Sequence, residues 1–235
     1  MDATEDRDRF YRIMDYLRRH VVERRLDDCH GRMQWPRRGV YFFFESGETR
    51  PDGKTPRVVR VGTHAVSRGS KTTLWNRLST HRGTAKSGGG NHRGSIFRLH
   101  VGSALLRRGD VPAPPDDTWG KGATAPRTVR ELEATVEYVV SRHIRQMPLL
   151  WIAADDDAGT SSMRAVVERN TIALLSCAGG AGDTADRSSP VWLGLHTQHE
   201  AVRQSSLWNV KHVFDTYDPG YLDLLERLAR ETQSV

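Results

Sequence analysis

Apolar residues recur at helical spacing over residues 6–26, where Phe10, Ile13, Met14, Leu17, Val21 and Val22 share one side. Arg18, Arg19, Arg24 and Arg25 crowd the other side, so the pattern predicts an amphipathic helix with a basic outer face. Two apolar, β-branched or aromatic runs follow at 39–44 and 58–61. They predict strands over 40–45 and 57–63, joined by a Gly-, Pro- and charge-rich hairpin loop at 46–56. Leu74, Trp75 and Leu78 mark a helix over 72–82, with Gly83 as its stop signal. Residues 95–101 read as a strand, 128–145 as a helix, and 149–153 as a short buried strand. A strong helix over 161–176 is capped by Ser161 or Ser162, and 200–206 and 219–232 read as further helices. The expected class is α+β: a small mixed or antiparallel central sheet flanked by helices.

Polar stretches divide this pattern. Residues 84–94 are glycine-rich and basic, residues 110–127 form a Pro/Gly/Asp-rich surface excursion, and 177–189 form a flexible Gly/Asp-rich loop. The expected organisation is a helical extension over 1–36, a core over 37–176 with an insertion at 84–127, and a C-terminal loop and helical extension over 177–235 packed on that core.

Composition narrows the class. Of 235 residues, 37% are hydrophobic and 27% charged, which fits a folded globular chain rather than a disordered one. The net charge of +6 favours a polyanionic partner. Cys29 and Cys177 are the only cysteines and cannot make a disulfide framework, so a reducing, cytoplasmic setting is expected. Residues 1–9 are charged and lack the apolar stretch of a secretory leader. No apolar run approaches the ~20 residues a membrane span requires. Gly69-Ser70-Lys71-Thr72 lacks the residue order of a phosphate loop, and His196 with His199 lacks a third metal ligand.

The chemistry-bearing residues occur in a fixed order. Gly39-Val40-Tyr41 opens the first strand, Arg60-Val61-Gly62 closes the second, and Arg77 precedes His81 by one helical turn. Glu168 is the carboxylate within the apolar helix window 165–175. This order resembles the GIY-YIG nuclease family, with the restriction-endonuclease branch as the nearest likeness. The resemblance implies a small αβ domain that hydrolyses phosphodiester bonds with one divalent metal.

On that resemblance Tyr41 lies beside the attacking water, as general base or orienting group. A phenol ordinarily ionises near pH ~10, so a base role requires cations nearby. Arg60 occupies the position of the second motif tyrosine, while Gly62 is retained. An arginine cannot serve as a base, because its pKa lies above ~12, but it can clamp a phosphate oxygen. His64 and Lys71 are close enough in sequence to compensate. Arg77 matches the helix arginine that binds a non-bridging phosphate oxygen, and His81 matches a histidine that relays the tyrosine's proton. Glu168 matches the metal-binding glutamate, for Mg²⁺ with Mn²⁺ able to substitute; Glu131, Glu133 and Glu137 are its rivals. Asn209 matches a bracing asparagine.

The implied function is a metal-dependent endonuclease acting on double-stranded DNA, in restriction or phage defence. Lys71, Lys86, Asn91, His92 and Arg93 are the expected DNA contacts. A palindromic target would imply a homodimer or two sequential nicks. The alternative, motivated by Arg60, is a nuclease fold that has lost catalysis and keeps a DNA-binding surface.

Overall fold

Tyr41, Phe42, Phe43 and Phe44 are all buried at the centre of the molecule. The computed structural model describes residues 3–84, 87–178 and 186–233. In chain order the elements are α1 (Ala3–Leu17), β1 (Arg24–Arg25), β2 (Gly39–Thr49), β3 (Pro56–Gly62), α2 (Leu74–Arg82), α3 (Ile96–Arg108), α4 (Arg127–Leu132), α5 (Ala134–Arg145), β4 (Pro148–Ala153), α6 (Met163–Leu175), α7 (Glu200–Ser205) and α8 (Tyr221–Glu231). The strands make one antiparallel sheet in the order β1-β4-β2-β3, and the fold is α+β as expected. Among the described residues no helix is long and apolar enough to cross a membrane.

The aromatic run works because side chains alternate across a strand. Phe42 meets Phe10 of α1 edge-on at 5.9 Å on one face of the sheet. On the other face Phe43 packs against Phe97 of α3 at 5.6 Å and His81 of α2 at 6.3 Å. Each buried phenylalanine stabilises the fold by about 1.5–3 kcal/mol, so one short strand anchors helices on both sides. Apolar residues from Phe10 to Ala229 share a single buried cluster.

Several elements differ from the sequence reading. Residues 95–101 belong to helix α3 rather than a strand. Ser95 caps it by accepting from the Arg98 N–H at 3.2 Å, and Phe97, Val101, Ala104 and Leu105 form its buried stripe. That stripe emerges only when the window extends past residue 101. The first helix stops at Leu17 rather than continuing to 26, and a π-turn follows at Arg18–Val22. The β-branched pair Val21-Val22 is a poor helix former, and Val22 takes a left-handed φ of 65°. Arg24 and Arg25 then pair with β4. Strand β2 runs on to Thr49, which shortens the hairpin loop. The helix expected over 128–145 is broken into α4 and α5.

β3 is the outer strand, and an open edge presents unpaired backbone groups. Here a distant segment covers it. The Trp208 N–H donates to the Val59 carbonyl at 2.7 Å. The Asn209 side chain then accepts from the Val61 N–H at 3.1 Å and donates to the Val61 carbonyl at 2.9 Å. The indole N–H groups of Trp192 and Trp208 both donate to Glu45 of β2, at 2.9 and 3.2 Å, which fastens the same segment to the sheet.

Candidate active site

The site is built where β2 and β3 lie side by side. Tyr41 pairs directly with Gly62, so the tyrosine ring lies across a residue that has no side chain. A Cβ at Gly62 would overlap the Tyr41 hydroxyl, and one at Gly39 would overlap the Ile152 carbonyl. Both motif glycines therefore permit close approaches that define the site.

α2 is held at both ends. Thr73 and Asn76 form a capping box, and Gly83 closes the helix with φ 77°. This delivers His81 to Tyr41, whose hydroxyl lies 2.8 Å from Nε2. The other ring nitrogen, Nδ1, lies 2.8 Å from the Ser95 hydroxyl. His81 is buried, and burial pushes its pKa well below the ordinary imidazole range; the charges of Arg77, Arg60 and Arg98 push the same way.

Glu168 comes from α6, whose N-terminus is capped by the Ser162 hydroxyl. One carboxylate oxygen accepts the Thr63 N–H at 3.0 Å. The Thr63 hydroxyl donates to the Gly39 carbonyl at 2.7 Å. Thr63 thus connects the first motif strand to the glutamate, immediately after the glycine that seats Tyr41. Burial raises the pKa of Glu168, and Arg60, the Thr63 N–H, His212 and Arg77 only partly oppose it. Arg77 is half-buried, with one guanidinium nitrogen 3.3 Å from the Gly94 carbonyl. Asn209 holds Val61, one residue before Gly62.

The sequence profile of the GIY-YIG domain matches residues 1–235, the whole chain. The chain belongs to the GIY-YIG family. No curated protein and no solved structure matches it. GIY-YIG proteins are endonucleases, so membership implies nuclease-type DNA cleavage at the level of the family, with DNA as the substrate.

The GIY-YIG motif of this chain departs from the family pattern at Arg60. Its guanidinium is buried, bonds the Trp208 carbonyl and lies over the Phe97 ring at 5.4 Å. It acts electrostatically on both His81 and Glu168, so a fixed positive charge stands where a phenol is usual. His64 is buried; desolvation, then Arg164, Arg38 and Arg77, press its pKa down to about 4, so it is a neutral side chain at physiological pH. Lys71 is exposed in the loop before α2.

The basic excursion is arranged differently from the expected DNA contacts. His92 is buried, with Nδ1 3.0 Å from Glu137, and its second nitrogen accepts the Gly120 N–H at 3.2 Å. Arg93 makes a two-pronged ion pair with Glu133 at 2.6 and 2.9 Å and donates to the Lys121 carbonyl. Asn91 is exposed and caps the turn at His92–Gly94. Lys86 lies outside the described residues, as does most of the glycine-rich part of the 177–189 loop. His92 and Arg93 therefore hold the excursion to α5 rather than facing solvent.

The same contacts separate the rival carboxylates. Glu133 and Glu137 are both engaged by arginine, and exposed Glu131 pairs with Arg127. Glu168 has one oxygen on a backbone N–H and, among the described residues, no arginine bonded to it. Among the described residues no group of three or more His, Cys, Asp or Glu could surround a metal. A lone carboxylate suits a hard cation that keeps several waters and shares substrate phosphate oxygens, so Glu168 fits Mg²⁺.

Thr63, Ser95 and His212 were not anticipated from the sequence. Ser95 was hidden by the strand reading of its segment; as a helix cap it would have drawn notice. His212 carries a left-handed φ of 64° and is tied to Asp215 at 2.6 Å, a strain with no signature in the local pattern.

Proposed function

We propose that this chain is a Mg²⁺-dependent DNA endonuclease in which Glu168 holds the cation. The observation that carries the reading is the convergence on two successive backbone positions. Tyr41 lies over Gly62, and Glu168 is bonded to the N–H of Thr63. A hard cation bound there supplies positive charge to the scissile phosphate and lowers the pKa of bound water. Arg77, on the helix beside Tyr41, takes a non-bridging phosphate oxygen. Arg60 adds fixed positive charge from the strand. Tyr41 accepts the proton of the attacking water. Thr63 and Asn209 hold the strand end that carries the site. A restriction or defence role in the cytoplasm fits such an enzyme, with two copies or two nicks needed for a palindromic target.

The test is incubation with supercoiled plasmid and genomic DNA in Mg²⁺, in Mn²⁺ and in EDTA, beside the Glu168→Ala variant. Discrete, metal-dependent fragments absent from the variant support the reading. Cutting that survives Glu168→Ala removes Glu168 as the ligand. The second reading, a DNA-binding module without catalysis, is favoured by Arg60 in place of a tyrosine. Intact DNA under every condition, with a salt-sensitive mobility shift, would select it.

A further inference from the structure

Tyr41, His81 and Ser95 form a continuous buried row, and their hydrogens can be counted. The two links are 2.8 Å each, and the exposures of the three residues are 0%, 0% and 2%. The Ser95 oxygen also accepts the Arg98 N–H at 3.2 Å as the cap of α3. In the neutral state each hydroxyl carries one hydrogen and the imidazole carries one, giving three hydrogens for two links. One hydroxyl hydrogen is therefore left over at one end of the row.

Which end depends on the histidine tautomer. With the proton on Nδ1, the imidazole donates to Ser95, and the serine hydrogen is stranded inside the protein with no acceptor in the row. With the proton on Nε2, Ser95 donates to Nδ1 and His81 donates to the Tyr41 oxygen. The leftover hydrogen then belongs to Tyr41, at the end of the row that lies against Gly62, the residue before the Thr63 whose N–H holds Glu168. Both hydroxyls are buried, but the Ser95 oxygen already serves as the helix cap, whereas on the nuclease reading the Tyr41 end is the one that meets water and phosphate able to accept a hydrogen.

We propose that Ser95 is a positioning residue that holds His81 in its Nε2–H form, so that the imidazole donates to the Tyr41 oxygen instead of relaying its proton. The surroundings agree. Arg77 from α2, Arg60 from β3 and Arg98 from α3 all bear on His81 and oppose its protonation. Arg98 also donates to the His81 carbonyl at 2.8 Å and is itself paired with Glu137 of α5. A histidine ringed by three arginines is a poor proton store, whereas a neutral N–H donor is compatible with them. The catalytic consequence rests on the nuclease reading. The Tyr41 hydroxyl proton passes to solvent, and the oxygen, held by Nε2–H, then takes a proton from the attacking water. The water oxygen bonds to phosphorus as the bond to the leaving oxygen breaks, and the leaving oxygen takes a proton from solvent.

The tautomer is read directly by nitrogen-15 NMR of histidine-labelled full-length protein, without DNA or metal, where the two forms have distinct ring-nitrogen shifts. The expected result is Nε2–H for His81 in the wild type and loss of that preference in Ser95→Ala. In cleavage, Ser95→Ala should fall by about tenfold or more with the acid limb of kcat/KM moved to higher pH, and Ser95→Thr, which keeps the hydroxyl, should retain the wild-type profile. The Nδ1–H form in the wild type overturns the proposal, as does an unmoved acid limb with full activity in Ser95→Ala. A wild-type protein that cuts no DNA counts against the nuclease reading, while the NMR result still decides the tautomer.

Discussion

Glu168 on α6 and Glu137 on α5 are both helix glutamates in buried surroundings, yet their partners are opposite. Glu137 accepts the His92 backbone N–H at 2.5 Å, the His92 ring at 3.0 Å and the Arg98 guanidinium through two nitrogens. Burial pushes its pKa up, but the His92 hydrogen bonds and the Arg98 charge outweigh it, so Glu137 lies below the ordinary carboxylate range. Glu168 accepts one backbone N–H, burial prevails, and its pKa is raised. The difference separates a carboxylate that completes the fold from one with lone pairs to spare. A saturated carboxylate holds the molecule together, and an under-satisfied one has capacity for a cation.

The sharpest way to break this comparison is to exchange the two roles by mutation. Glu168→Ala should lower DNA cutting by about three orders of magnitude, the rate equivalent of several kcal/mol of lost transition-state stabilisation, with DNA binding retained. A gel assay beside a mobility shift checks both. Glu137→Ala should do the reverse. It strands the fully buried Arg98 and should cost about 3–5 kcal/mol of stability in urea denaturation, with any loss of cutting following the unfolded fraction. If Glu137→Ala folds normally, or Glu168→Ala cuts, the contrast fails.

A smaller effect is expected at the seat of Tyr41. Gly62→Ala places a methyl group where the Tyr41 hydroxyl lies, at about 1–3 kcal/mol of overpacking. Cutting should fall more than thermal stability does, because on the proposed reading the displaced atom is the one that meets the attacking water. Equal losses would make Gly62 a packing residue only.

The smallest effect is a pH dependence of opposite sign at the two glutamates. Glu168 has a raised folded pKa, so its contribution is fully present below the unfolded value of ~4.3 and is lost as pH rises through the folded value. Glu168→Gln, always neutral, should therefore melt higher than the wild type at pH 7–8 and alike below pH ~4. Glu137 has a lowered folded pKa, so its contribution is present above ~4.3 and lost as pH falls through the folded value. The deficit of Glu137→Gln should narrow in acid. Scanning calorimetry across pH reads both.

The contrast also marks what the sequence made legible. Tyr41, Gly62, Arg77 and His81 lie within short windows whose period and spacing fix their faces, so strands β2 and β3 and helix α2 were readable. The glutamate pair was distinguishable only by long-range partners. Arg98 and His92 lie 39 and 45 residues from Glu137, and no local pattern reports such a bond. The same reason hid the partners of His92 and Arg93, which look like solvent-facing cations beside glycines until Glu133 and Glu137 are brought to them. Ser95 was obscured by a window of seven residues, too short to separate a buried helix turn from a strand. Asn209 was readable as a candidate by its type and order, while its two-pronged grip on Val61 could be seen only in the fold.

The cover on β3 has a consequence for the timing of synthesis. Tyr41, Arg77, His81 and Glu168 are all translated well before Asn209, yet the bonds that order Val61 come from Trp208 and Asn209. A nascent chain that already carries these four side chains still has the bare edge of its motif strand. That edge cannot be covered until Trp208 and Asn209 have left the ribosome, so a chain that stalls before them carries the candidate site on an open strand.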